Sequence, residues 1–85
     1  MNKNFEWCLL LEHNCPASNE AVSLCDRFHL DYETIYKSDL SQEELSIMTP
    51  FNHSGKVIIY QNGKYYGNYL NLLNFCNNHL YVGFS

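Results

Sequence analysis

Apolar positions along the chain follow two different periods, with polar punctuation between them. Cys8-Leu9-Leu10-Leu11 is a continuous apolar run inside Glu6–Glu12, which predicts a strand buried on both faces of a sheet. From Pro16 the spacing changes. Ala21, Val22, Cys25 and Phe28 recur at helical intervals, while Ser18, Asn19, Ser23, Asp26 and Arg27 fall mostly on the other side, predicting an amphipathic helix from Pro16 to Leu30. Asp31–Tyr36 carries Tyr32, Thr34, Ile35 and Tyr36, residues that favour a second strand. Ser41-Gln42-Glu43-Glu44 has the spacing of a capping box and predicts a short helix to about Met48, which Thr49-Pro50 stops. Phe51–Gly55 reads as a polar loop, and Lys56–Gln61, centred on Val57-Ile58-Ile59-Tyr60, as a third strand. Asn62-Gly63 predicts a type I′ hairpin, because that turn needs positive φ at both positions. Lys64-Tyr65-Tyr66 returns as a fourth strand, which Gly67-Asn68 breaks. Tyr69–Asn77 then closes as a helix with Leu72, Leu73, Phe75 and Cys76 available to pack, and Asn78–Ser85 gives no clear signal.

The predicted order is β-α-β-α-β-β-α, an α/β chain. A helix joins the first two strands, so they should be parallel with a right-handed crossover, and the last two form an antiparallel hairpin. A four-stranded mixed sheet with helices on both faces follows. The 85 residues are read as a single domain, 1–85, with a core of about 5–78 and a tail of 79–85. A chain of this length buries only about 60–65% of its unfolded surface. Its 46% hydrophobic and 15% aromatic content still places it among globular chains.

The net charge of −4 and the lack of a basic run exclude nucleic acid as an expected partner. The longest apolar runs fall far short of a membrane span, and Met1-Asn2-Lys3-Asn4-Phe5-Glu6 has no signal-peptide core. The chain reads as cytoplasmic. In that setting four cysteines at 8, 15, 25 and 76 do not suggest a disulfide framework, and their spacing matches no zinc site.

The candidate chemistry lies in Cys15-Pro16-Ala17-Ser18, where the first strand gives way to the first helix. The first turn of a helix has unpaired N–H groups and a partial positive charge, and both favour a thiolate. Pro16 suits the first helical position. Cys15 is read either as a reactive redox thiol or as a vestige of one. Ser18 is a first-turn polar residue that can also hydrogen-bond the sulfur. Cys8, Cys25 and Cys76 lie on apolar runs and read as core residues. Cys25 lies more than two helical turns from Cys15, poorly placed to resolve a disulfide with it. His13 is either an imidazolium that helps Cys15 ionise or a solvent-facing loop residue. His29, His53 and His79 support no metal constellation, and no metal site is expected.

These residues resemble the glutaredoxin branch of the thioredoxin superfamily. Cys15-Pro16-Ala17-Ser18 follows a buried strand as the family's Cys-Pro-x-Cys or Cys-x-x-Ser motif does. The element order is the family's, and Val57–Tyr69 resembles its third strand, hairpin and Gly-Gly turn. The resemblance covers about residues 5–78 and implies the thioredoxin-like (glutaredoxin) fold. It implies a monothiol form, because Ser18 replaces the second cysteine. Three departures stand out. Glu12 occupies the place of a lysine three residues before the nucleophile, and an anion there opposes a thiolate. Ser54-Gly55-Lys56 occupies the place of the family's cis-proline, where a trans bond is expected because non-proline cis peptides cost about 2.5–4 kcal/mol. Lys56 there could aim its ammonium at Cys15. Gly67-Asn68 and Asn71 replace the Gly-Gly and the acidic residue that hold the γ-glutamyl end of glutathione.

The resemblance implies thiol–disulfide oxidoreduction, with Cys15 as nucleophile and Ser18 assisting. Pro16, Gly55, Lys56, Gly67, Asn68 and Asn71 would line the substrate groove. Glutathione would be a weakly held co-substrate that resolves the mixed disulfide, and the substrate would be glutathione-bound or a protein disulfide. The alternative is a non-catalytic thioredoxin-fold module that binds a protein partner through its aromatic-rich surface. Monothiol members of the family can also bridge a dimer with a [2Fe–2S] cluster. They usually carry Gly-Phe after the cysteine, so Pro16-Ala17 argues against a cluster here.

Overall fold

The computed structural model describes residues 5–80. Strand β1 (Trp7–Leu11) is followed by α1 (Pro16–Arg27), β2 (Tyr32–Tyr36), a 3₁₀ turn (Lys37–Asp39), α2 (Gln42–Met48), β3 (Ile58–Gln61), β4 (Lys64–Gly67) and α3 (Tyr69–Phe75). The predicted order holds. The four strands form one sheet in the order β2-β1-β3-β4. β1 runs parallel to β2, and β3 is antiparallel to both its neighbours, β1 and β4. The apolar run from residue 8 therefore becomes an interior strand with neighbours on both sides, as its unbroken hydrophobicity requires.

The two faces of the sheet differ. Trp7, Leu9 and Leu11 of β1, with Ile59 and Val57, pack against Ala21, Leu24 and Cys25 of α1 and against Leu72 and Cys76. The Trp7 ring meets Tyr66 and Phe75 edge-on, each at 5.1 Å, the arrangement that aromatic quadrupoles favour. On the opposite face Leu10 pairs with Ile58, and both are buried. α2 buries none of its own residues. It is tied down by the Tyr60 hydroxyl, which donates to the Met48 carbonyl at 2.9 Å. A groove of about 590 Å³ remains between Met48 and the sheet residues Cys8, Glu33, Ile35 and Tyr60.

The local signals behave as their chemistry dictates. Ser41 and Glu44 form the reciprocal capping box. Asn62 and Gly63 both have positive φ, 52° and 82°. α1 ends at Arg27, short of the expected Leu30. Phe28 caps it, His29 takes a left-handed φ of 57°, and the Leu30 N–H reaches back to the Cys25 carbonyl at 2.9 Å. This is a Schellman closure with histidine where glycine is usual. α3 stops at Phe75 instead of Asn77, and Cys76–Leu80 continues as one wider π-helical turn. Of the expected tail, residues 81–85 lie outside the described residues. No helix among the described residues is long and apolar enough to cross a membrane.

Candidate active site

β1 delivers the chain to a short loop in which Asn14 adopts φ 52°, a region that asparagine tolerates. Cys15 follows as the N-cap of α1 in extended conformation, with Pro16 in the first turn. The Cys15 carbonyl accepts the Asn19 N–H at 3.1 Å, so the backbone of the cysteine is locked to the helix it starts. The neutral side chain makes no capping hydrogen bond. A thiolate would gain more. The Ser18 N–H and then the Ser18 hydroxyl lower the Cys15 pKa, against a smaller desolvation penalty, with further lowering from the Ala17 N–H and the Lys56 ammonium. Hydrogen bonds to the charged form are among the strongest ways to lower a pKa.

Ser18 is itself only 3% exposed. Its Oγ accepts the Glu12 N–H at 2.9 Å. The hydroxyl proton is thereby left for another acceptor. Ser18 thus ties the loop before the cysteine to the first turn of α1.

The charge expected to oppose a thiolate is partnered. Lys37 Nζ lies 3.0 Å from Glu12 Oε2 and donates to the Lys56 carbonyl at 2.6 Å. Glu12, the anion expected to oppose a thiolate, is held in an ion pair. Sequence reasoning missed Lys37, although a signal existed. If β1 and β2 pair in parallel with Leu11 beside Tyr36, the next residues along are Glu12 and Lys37. His13 stacks flat on Tyr36, with centroids 4.1 Å apart and planes 5° apart. His53 Nδ1 is 2.7 Å from the Tyr65 hydroxyl, and burial, then Lys37, lowers its pKa.

A groove of about 260 Å³ opens beside the first turn of α1, between Ala17, Gly55, Lys56, Val57, Asn68 and Leu70. Three of the expected groove residues, Gly55, Lys56 and Asn68, line it together. Pro16, Gly67 and Asn71 are not on its wall. All peptide bonds among the described residues are trans, including that before Lys56, as expected. Gly55 has φ +102°, a conformation that favours glycine.

Asn68 and Asn71 form a second reciprocal capping box. The Asn68 N–H donates to Asn71 Oδ1 at 2.9 Å, and the Asn71 N–H donates to Asn68 Oδ1 at 3.2 Å. Asn68 Nδ2 donates to the Ser54 carbonyl at 3.2 Å. The groups that a ligand carboxylate would need are therefore already engaged within the chain. Gly67 is explained by the same box, since a Cβ there would collide with the Asn71 side chain.

The remaining thiols are free; Cys25 and Cys76 lie in the core as expected, whereas Cys8, also read as a core residue, is only half-buried because its side chain faces the groove beside Met48. Burial pushes Cys25 up to about 12, and burial with Glu33 pushes Cys8 up to about 11. Burial also raises Cys76. No three His, Cys, Asp or Glu side chains gather as metal ligands among the described residues.

No family model matches the chain, and no curated protein sequence matches it. Among solved structures it is similar to the solution structure of the dithiolic glutaredoxin 2-C-Grx1 from the pathogen Trypanosoma brucei brucei. The TM-score is 0.70 at 21% identity, over 87% of this chain and 79% of that one. The likeness establishes a thioredoxin-like, glutaredoxin-type fold. That protein is described as dithiolic, whereas this chain has serine three positions after Cys15.

Proposed function

We propose that the protein is a monothiol, glutathione-dependent thiol–disulfide oxidoreductase with Cys15 as its nucleophile. The observation that carries the reading is the place of Cys15 as the N-cap of α1, with Pro16 in the first turn, buried Ser18 three residues on and a groove lined by Gly55, Lys56 and Asn68 beside that turn. In the first step the Cys15 thiolate attacks the glutathione sulfur of a mixed disulfide. A Cys15–glutathione disulfide forms, and the substrate thiolate leaves to take a proton from water. In the second step a glutathione thiolate attacks that disulfide, releasing oxidised glutathione and restoring the Cys15 thiolate. Ser18 has no sulfur, so the second thiol must come from solution. Lys56 supplies positive charge beside the reacting sulfur, and the groove from Ala17 to Asn68 receives the substrate chain. The setting is the cytoplasm, where glutathione is abundant and reducing.

The test is turnover of a glutathionylated peptide with reduced glutathione, coupled to a reductase that consumes the oxidised product. Wild type turns over and Cys15→Ser does not. Full activity in Cys15→Ser would sink the reading.

A second reading rests on the Asn68–Asn71 box, which engages the groups a glutathione carboxylate would use. In it the fold is a protein-binding module without catalysis. Purified wild type with no turnover, and a partner held equally by Cys15→Ser, would favour it.

A further inference from the structure

We infer that Lys37 is a positioning residue for Cys15: it neutralises Glu12 and holds the Lys56 backbone against the loop that carries the nucleophile. The inference deepens the proposed exchange chemistry and rests on it for its catalytic meaning. Lys37 follows β2, outside the Cys15 motif, the groove lining and the first turn of α1.

An ammonium has three protons to donate, and Lys37 commits two of them, to Glu12 Oε2 at 3.0 Å and to the Lys56 carbonyl at 2.6 Å. Its side chain is only 16% exposed, against 39% for Glu12. The cation is thus the better shielded partner and is less screened by salt than a surface lysine. Both partners belong to the site. Glu12 holds Ser18 through its N–H, and Ser18 stabilises the sulfur. Lys56 bears the other charge that favours a thiolate.

The charged and titratable groups around this cluster come from each element packed on it. Glu12 belongs to the β1–α1 loop, Lys37 to the turn after β2, and Lys56 and His53 to the segment before β3. Across the start of α1, Glu20 accepts from the Tyr69 hydroxyl at 3.3 Å. Without Lys37 the nearest loop carboxylate to Cys15 in sequence would stand uncompensated, and a like charge disfavours ionisation. Lys37 cancels that charge at its source and leaves Lys56 as the net charge acting on the thiolate.

The test is iodoacetamide labelling of Cys15 in the full chain as a function of pH, read by mass spectrometry. Lys37→Met should slow labelling at pH 7 about threefold or more and move the midpoint upward. Lys37→Arg should stay with wild type. Glu12→Gln/Lys37→Met should recover most of the loss, because the uncompensated anion is gone. An unmoved midpoint in Lys37→Met overturns the inference, and so does an equal loss with and without Glu12. If Lys37→Met fails to fold by circular dichroism, Glu12→Gln decides: a lowered midpoint supports the inference, an unchanged or raised one overturns it. These are differences between variants, readable whether or not Cys15 turns over a mixed disulfide. An intact Lys37 effect in a protein without turnover would sink the exchange reading alone.

Discussion

Cys15 begins α1 and Cys25 lies in its last turns, and neither thiol meets much solvent: Cys15 is 4% exposed and Cys25 0%. Their acidities nevertheless move in opposite directions. Around Cys15 the shielding atoms include the Ser18 N–H, the Ser18 hydroxyl and the Ala17 N–H, with Lys56 nearby. Around Cys25 they are the hydrocarbon of the main core, with Cys76 and Asp26 adding to the upward push. Low exposure therefore does not decide a cysteine's reactivity. What decides it is whether the groups that exclude water can replace water's hydrogen bonds to an anion.

The largest expected effect that tests this contrast is in labelling rate. At pH 7 a thiol near pKa 12 is ionised in roughly one molecule in 100,000, so Cys25 should label a thousandfold or more slower than Cys15 in the folded protein. Labelling of Cys25 or Cys76 alongside Cys15 under native conditions would break the comparison. Denaturant should abolish the difference.

Next in size is stability. Leu72 is fully buried against α1 and the sheet, and Leu72→Ala should cost about 2–4 kcal/mol in urea unfolding. Cys15→Ala, which opens no comparable cavity, should cost less than about 1 kcal/mol. Equal losses would mean that the Cys15 end of α1 is as structural as the core that Leu72 of α3 fills.

Ser18→Ala sharpens the comparison on the reactive side. It removes a hydroxyl that lowers the Cys15 pKa and takes the acceptor from the Glu12 N–H. Cys15 labelling at pH 7 should fall about three- to tenfold while Cys25 stays unchanged.

The smallest effect is in the pH dependence of folding. Cys25 is raised above its unfolded value, so its contribution to stability is full below about pH 8.5 and is lost as pH rises toward its folded value of about 12. Cys15 is lowered, so its contribution is present above about pH 8.5 and is lost as pH falls through its folded value. Urea midpoints should thus fall from pH 8.5 to 10 in wild type and fall less in Cys25→Ala. An identical slope in both would remove Cys25 from the account.

Much of this was readable in the sequence because it is local. The apolar run of β1, the Asn62-Gly63 turn and the Ser41–Glu44 box each depend on residues within a few positions of one another, and each formed as its chemistry predicts. Cys15 before Pro16 likewise announced a helix start. What escaped depends on chain segments meeting after the fold closes. The Lys37–Glu12 pair and the His13–Tyr36 stack both need β2 in register beside β1. The Asn68–Asn71 box is a different case. Its spacing was local and legible as a helix start ahead of Leu72 and Leu73, but a resemblance directed those residues to a ligand instead.

The interior place of β1 also bears on how the chain is made. Leu9 is synthesised before both of its partners, pairing with Thr34 on one side and Ile59 on the other. β2 can dock early through its α1 crossover. The opposite edge of β1 stays open until β3 is synthesised, and an apolar strand with an open edge invites pairing with other chains. Nascent chains halted before Ile58 should therefore depend on chaperones, and completion of the Asn62–Gly63 hairpin marks the moment at which that dependence ends.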